Sequence, residues 1–450
     1  MLSVEQNERF TKVGPGTPCG EMMRRYWHPV AAVSQMNDKY TMKIRLLGED
    51  LILYKDRSGT FGLIDPLCPH RRMGMIYGIP EETGLRCPYH GWVMDETGQC
   101  IEQPYEETVD PDAHYKDKIK VKAYPVEVKA GLIFAYMGPS PAPLIPNWDV
   151  FAIDNVVRDV GLAVLPCNWL QAQENSLDPV HLEWLHGYWS NFITEMRGEG
   201  ETKWNIRRHE KIGFTRFDYG IYKRRVMQGG SEADTSWSEG HPIIFPYFLR
   251  QGGDGFDRSK WYMTGPAVQI RVPIDDTHTA HWWVMTHDKD PQEPEQRFED
   301  MPFFSPPIIE LNDEGQPRWE ILDSNSAQDV AAWITQGKIS DRDQEHLGHS
   351  DVGIIQFRQM LEENIALVEQ GKDPMNTFRT PEENVYHGMV TEFPAHLAKE
   401  RSATDLGGTG TGQLPFQRQG MASKYSPILN QRGVAGGADA EERRKLVGQA

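Results

Sequence analysis

In "LCPHRR" a cysteine and a histidine, Cys68 and His70, stand two positions apart, and in "CPYHGW" Cys87 and His90 stand three apart. Sixteen residues separate the two pairs. Thiolates and imidazoles are ligands for zinc and for iron–sulfur clusters, and a Cys2His2 set is common for structural zinc. Zinc fingers, however, group two cysteines and then two histidines, whereas here each arm offers one of each. That interleaving suits a [2Fe-2S] cluster with two thiolates on one iron and two neutral imidazoles on the other, an arrangement that raises the potential above that of an all-cysteine cluster. The turn residues Pro69, Pro88 and Gly91 set these ligands on tight loops, and two unrelated loops would not put four such residues in register with them.

A second grouping lies downstream in "QENSLDPVHLEWLH", residues 173 to 186. His181 and His186 are five apart on a predicted helix, within reach of one metal, and Asp178 precedes the first by three. Two histidines and one carboxylate on one side of an iron leave open positions for O2 and substrate.

The chain that must position these residues has 450 of them, enough for two or three domains. Its net charge of -18 and pI near 5.3 argue against nucleic-acid binding, which needs a basic face. No apolar run is long enough to span a bilayer, and "MLSVEQNERF" lacks the features of a secretory signal, so a cytoplasmic protein without membrane association is expected. Five cysteines are too few for a disulfide framework, and Cys19, Cys100 and Cys167 read as packing thiols. After an N-terminal segment (1–25), strand-like alternation broken by turns predicts a small all-β domain over 26–138. "PSPAPLIPNWD" (139–149) reads as a linker. Residues 150–400 mix signals for helices and paired strands, including one helix over "NWLQAQENSLDPVHLEWLHGYW", a strand pair around Asp275-Asp276 and an amphipathic helix ending at Gly371. The expectation is an α+β domain with an antiparallel sheet flanked by helices. The Gly-rich tail (401–450) is expected to wrap a neighbour or stay mobile.

"CPHR" and "CPYHGW" resemble the boxes of the Rieske family, and Asn175, Asp178, His181 and His186 match the N-x-x-D-x-x-H-x4-H motif of Rieske non-haem iron oxygenases. The resemblance runs from "GPGTPCGEMMRRYWHPV" to "SDVGIIQFRQML" and is closest to the phthalate dioxygenase group. It implies that Cys68 and Cys87 hold the inner iron of a Rieske [2Fe-2S] cluster and His70 and His90 the outer one. It also implies a mononuclear Fe(II) on His181, His186 and a carboxylate from a late helix. Of Asp329, Asp341, Asp343 and Asp351, Asp329 is favoured because it sits in an apolar helical stretch one turn from Trp333, while Asp341 and Asp343 lie in a charged run that reads as solvated or subunit-facing. Asp178 is then no ligand. The family pattern has it contact His181 and, across an interface, His90 of a neighbouring subunit, which implies a ring, a homotrimer.

Two stretches, "IKVKAYPVEVKAGLIFAYMGPSPAPLIPNWD" and "CNWLQAQENSLDPVHLEWLH", are most similar to oxygenases that O-demethylate the lignin-derived biphenyl 5,5'-dehydrodivanillate. That similarity implies an aromatic acid substrate, O2, and electrons from NADH delivered through a separate reductase or ferredoxin. Hydroxylation of a methoxy carbon would give a hemiacetal that releases formaldehyde. The alternative is ring dihydroxylation of the phthalate type. A Rieske electron carrier fused to a binding domain would leave the His181/His186 pair unexplained. For the pocket, a cation and flat walls are wanted, and Arg207, Arg208, Arg224, Arg225, His241, Phe245, Tyr247 and Arg250 are candidates.

Overall fold

The alternating stretch that precedes Cys68 folds into the antiparallel strands Thr41–Leu46, Glu49–Lys55 and Phe61–Ile64, to which Ala123–Tyr124 adds a fourth. The first two are joined through Leu47 and Gly48, both at positive φ (48° and 80°), as a tight hairpin turn requires. That turn docks on the rest of the molecule, with Leu47 N–H donating to Pro273 O and Gly48 N–H to Ile274 O. A second small sheet (Ile79–Pro80, Leu85–Arg86, Val93–Met94, Cys100–Glu102) and a third (Trp27–Ala32, Leu132–Tyr136, Val126–Lys129) complete the N-terminal β region. This computed structural model describes residues 1–198, 207–252, 265–289, 292, 294–305, 310–319, 322 and 324–392, so the tail expected over 401–450 lies outside the described residues.

The larger region is built on eight strands. In spatial order they are His209–Phe217, Gly220–Met227, His241–Ile244, Phe248–Gly252, Pro266–Asp275, His278–Asp288, Val156–Leu165 and Phe303–Phe304. Every pairing is antiparallel except the last, where Phe303 lies parallel to Val160, so the sheet is mixed at one edge rather than wholly antiparallel. Helix Trp169–Ser176 and helix Asn325–Thr335 cover the face formed by the three longest strands. Ala172, Val330 and Trp333 pack there on Ala163, Leu165, Ala267, Trp283 and Met285. Helix Val352–Glu369 packs against Pro18–Met23 near the N-terminus, which ties the two ends of the described chain together.

A single continuous core links the two regions, from Tyr26, Trp27 and Phe134 to Phe245, Trp282 and Phe357. The proline-rich stretch 139–149 is part of it rather than a free tether. Trp148 is buried, Leu144 N–H donates to Phe378 O, and His387 N–H donates to Asn147 O. Prolines lack a backbone donor, so such a stretch can lie on apolar surface with few N–H groups left unmet. No helix among the described residues is long and apolar enough to cross a membrane.

Candidate metal centres

Cys68 follows the strand Phe61–Ile64 and Cys87 follows Leu85–Arg86, and the two loops close in the same way. Cys68 N–H donates to Met73 O (2.8 Å) while Arg72 N–H returns to Cys68 O (2.9 Å). Cys87 N–H donates to Trp92 O (2.8 Å) and Gly91 N–H to Cys87 O (3.0 Å). The fourth residue after each cysteine has positive φ, Arg72 at 59° and Gly91 at 80°. Glycine adopts that conformation freely, and Arg72 adopts it against the steric cost of its Cβ. Both cysteines are buried, His70 is half-buried and His90 is exposed. The two imidazoles sit 4.4 Å apart between centroids, and His70 stacks on Trp92 at 4.6 Å. Burial pushes the Cys68 thiol up to about 11, with the adjacent Cys87 thiol adding to the effect, so a bound metal is what would draw off its proton. Nδ1 of His70 is buried without a partner. Thiols inside and imidazoles outside fit a two-iron cluster. Nor do the four donors crowd together as one zinc ion would demand. Among the described residues, the only group of three or more His, Cys, Asp or Glu with donor atoms within 4.8 Å of one another is elsewhere.

That group is His181, His186 and Asp329. The segment carrying the histidines is not the one continuous helix expected from sequence. Helix Trp169–Ser176 stops before Pro179, whose ring disfavours helical backbone at the residue ahead of it. A short turn His181–Glu183 restarts it, Trp184–Tyr188 is a widened π turn in which Trp189 N–H bonds Trp184 O, and Trp189–Met196 continues as α-helix. In a regular α-helix, residues five apart point about 140° away from each other. The widened turn removes that divergence and the His181 and His186 rings come to 5.2 Å between centroids. Asp329, on helix Asn325–Thr335, places Oδ1 3.2 Å from His186 Nε2 and 3.8 Å from His181 Nε2.

The orientation of His186 is set from behind. Its Nδ1 lies 2.8 Å from Gln328 Oε1, and the Gln328 amide nitrogen donates to Ser190 Oγ (2.7 Å) and Leu322 O (2.9 Å). With the amide nitrogen so engaged, Oε1 accepts, Nδ1 carries the proton and Nε2 presents its lone pair towards Asp329. Burial opposes a charge on His186, yet Asp329 and Gln328 outweigh it and raise its pKa; Asp329 is held low against its own burial chiefly by His186. Asp329 Oδ1 is buried without a hydrogen bond, the condition of a donor awaiting a metal, while His181 Nδ1, also unpartnered, is on the ring edge away from the Nε2 that approaches Asp329. Asp178 Oδ2 is 3.7 Å from His181 Nδ1, and its Oδ1 accepts from Val180 N–H (2.8 Å). Asn175, just ahead, is half-buried. Of the other late aspartates, Asp341 is exposed and Asp351 accepts from Gly348 N–H.

Comparison with known proteins agrees with this layout. Residues 26–125 match the Rieske [2Fe-2S] domain and residues 320–410 the LigXa C-terminal domain like family. The chain is 44% identical over 382 residues to the 5,5'-dehydrodivanillate O-demethylase oxygenase subunit of Sphingobium sp. (strain NBRC 103272 / SYK-6), covering 85% of this chain and 84% of that one. This chain belongs to the Rieske oxygenases. A more distant relative within the family is the phthalate 4,5-dioxygenase oxygenase subunit of Pseudomonas putida, 29% identical over 89% of this chain and 93% of its own. Two solved Rieske oxygenase structures share the fold. The QL mutant of NdmA of Pseudomonas putida CBB5 with caffeine gives a TM-score of 0.57 at 19% identity over 78% of this chain and 93% of that one. A carbazole-bound oxygenase in the ferredoxin complex of carbazole 1,9a-dioxygenase gives 0.54 at 17% identity over 83% and 96%.

In this Rieske oxygenase the residues expected to line the pocket separate into different environments. Strand alternation puts Arg224 on the face opposite to Arg225, where it donates to Ser238 O (2.6 Å). Arg225 pairs with the buried Glu392 at 2.8 Å, and His241 Nδ1 lies 3.1 Å from the same carboxylate. Phe245, Tyr247 and Arg250 are core residues instead of pocket walls. Tyr247 Oη meets His28 Nδ1 at 2.8 Å, Phe245 packs on Phe357, and Arg250 is fully buried against Asp149. Their strands meet at a turn beneath the core shared by both regions, which leaves them facing other side chains. Arg207 is exposed two residues ahead of the strand His209–Phe217. Gln328, Lys223 and the His209–Glu183 pair escaped the sequence reading. The signal for Gln328 was a second polar residue beside Asp329 at the edge of the apolar run 330–334.

Proposed function

We propose that this chain is the terminal oxygenase component of a system that O-demethylates a methoxylated aromatic acid of the 5,5'-dehydrodivanillate kind, with O2 and with electrons passed from NADH by a separate reductase or ferredoxin. The observation that carries this reading is the 44% identity, over most of both chains, to an oxygenase subunit of that name. The layout proposed with it is an N-terminal segment 1–25, a Rieske domain 26–138, a connecting stretch 139–149, a catalytic domain 150–400 and a tail 401–450, in a cytoplasmic protein. When bound, a [2Fe-2S] cluster at Cys68, His70, Cys87 and His90 supplies single electrons, and an Fe(II) at His181, His186 and Asp329 supplies the means to use O2.

The chain's own residues do the rest. His181, His186 and Asp329 would hold the iron as its three protein ligands, which would leave positions for O2 and substrate. Gln328 holds His186 in one tautomer. Asp178 contacts His181, and its position supports a role in joining the two centres, with the cluster contributed by a neighbouring subunit of a homotrimer. Hydroxylation at a methoxy carbon needs no further acid or base, because the hemiacetal formed collapses to formaldehyde and a phenol.

The test is turnover of 5,5'-dehydrodivanillate by the purified protein with a Rieske oxygenase reductase and NADH. About one formaldehyde should appear per O2 consumed. A stable cis-diol from phthalate, with no formaldehyde from the biphenyl acid, would replace demethylation by ring dihydroxylation.

A further inference from the structure

Two cations stand two residues apart on the strand Gly220–Met227, and only one has a counter-charge. Arg225 is paired with Glu392 at 2.8 Å. Lys223 is 7% exposed, yet among the described residues its ammonium has neither a hydrogen-bond acceptor nor a carboxylate at ion-pair distance. An ammonium offers three donors and no acceptor, and one on a side chain this deeply set without a counter-charge is suited to take up an anion. Burial, and after it Arg225, pushes the Lys223 pKa down to about 8, while Glu392, Asp178 and Asp329 act in the opposite direction. Those last two carboxylates put Lys223 within electrostatic reach of the candidate iron site.

Other polar groups on the same sheet face also lack partners. Lys223 lies opposite His241 in the sheet and Met227 lies opposite His209, so Lys223, Arg225, His209 and His241 share one face. Each histidine turns Nδ1 to a buried carboxylate, His209 to Glu183 at 3.3 Å and His241 to Glu392 at 3.1 Å. In both, Nε2 is buried and has no partner. Three polar groups thus stand unpartnered on one sheet face next to the site.

We propose that Lys223 binds the carboxylate of the aromatic acid substrate and so fixes which end of the molecule faces His181, His186 and Asp329. This rests on the proposed reading of an aromatic acid substrate, and on the proposed iron site for where the rest of that substrate points. His209 and His241 offer lone pairs to a hydroxyl on the same molecule.

The test is calorimetric titration of the iron-loaded full chain, without O2, using 5,5'-dehydrodivanillate and its bis-carboxamide. Wild type should bind the acid more tightly. Lys223→Met should weaken the acid about ten- to hundredfold, the range for losing a hydrogen bond to a charged group, and leave the amide within about twofold. Lys223→Arg should keep the preference for acid. The thermal midpoint of Lys223→Met should be unchanged or raised, since an unpaired buried charge is removed. Acid binding unaltered in Lys223→Met, or wild type that does not distinguish acid from amide, overturns the proposal. An acid preference that Lys223→Met abolishes, in a protein that releases no formaldehyde, supports Lys223 as the carboxylate site and rejects demethylation.

Discussion

His186 is oriented by an amide, where a carboxylate or a backbone carbonyl is the more usual partner of a metal-binding imidazole. A neutral acceptor fixes the ring and its tautomer without adding a negative charge, so Asp329 remains the carboxylate that balances the metal. Replacing Gln328 with Leu keeps the volume and removes the acceptor. Iron affinity should fall about ten- to hundredfold, as for other residues that orient a metal ligand, read by iron retained after dialysis against a graded chelator. Retention equal to wild type would mean that packing alone aligns the ring. The sequence discloses donors better than it discloses what orients them. Cys68, His70, Cys87, His90, His181 and His186 are scarce residue types at telling intervals, whereas Gln328 and Lys223 are ordinary polar residues whose meaning depends on what lies across the fold. The same holds for Arg224 and Arg225, adjacent in sequence and on opposite faces of one strand.

The widened turn Trp184–Tyr188 is what makes a five-residue spacing workable, and it can be removed. Deleting Gly187 should let the segment close into regular α-helix and send the two imidazoles about 140° apart. Iron should then be lost while far-UV circular dichroism is preserved. Full iron occupancy in the deletion variant would show that the turn is incidental. A second device holds helix Trp169–Ser176 in place. Glu174, buried, accepts from Arg342 (2.7 Å) and Arg358 (2.7 Å), joining that helix to the 341–345 loop and to helix Val352–Glu369. Burial works against a charge on Glu174, and the two guanidiniums more than reverse it, so its pKa is lowered. Glu174→Ala would strand the fully buried Arg342 and should cost about 3 to 5 kcal/mol in chemical denaturation. Adding Arg342→Met should recover much of that loss. The sequence suggests the opposite for this loop, because Asp341, Arg342 and Asp343 look like a solvated run. Their alternation hides one side chain that is 1% exposed between two that are not. Strand pairs and the long amphipathic helix were readable from period alone. The break at Pro179 was readable in principle, but the apolar pattern running across it favours a single helix.

At the scale of the molecule, the aromatic surface left uncovered points outward from the chain. Trp184, Tyr188, Phe192 and Met196 recur every four residues and are 42 to 64% exposed, forming an apolar stripe immediately beside His186. On the Rieske side Tyr89 is 52% exposed next to the exposed His90. Apolar patches of this kind mark surfaces that another protein covers, and a head-to-tail ring would bring unlike patches together. Nothing in the spacing of these residues distinguishes an exposed stripe from a core-facing one, which is why the sequence suggests a ring only through family resemblance. The proposed ring makes a prediction that no single subunit can satisfy. Asp329→Ala keeps the cluster loops and loses the iron site; His90→Cys does the reverse, and each variant alone should be inactive. If electrons cross between subunits, a co-expressed mixture should regain activity, because the intact cluster of one chain faces the intact iron site of the next. With equal, random mixing about a quarter of the interfaces in a closed ring have that arrangement, so about a quarter of wild-type turnover per subunit is expected. Differently tagged subunits, purified through both tags, establish that mixed rings are present. Should such rings show no turnover above the separate variants, the electron path lies within one chain, and the 3.7 Å approach of Asp178 to His181 serves the metal site of its own subunit alone.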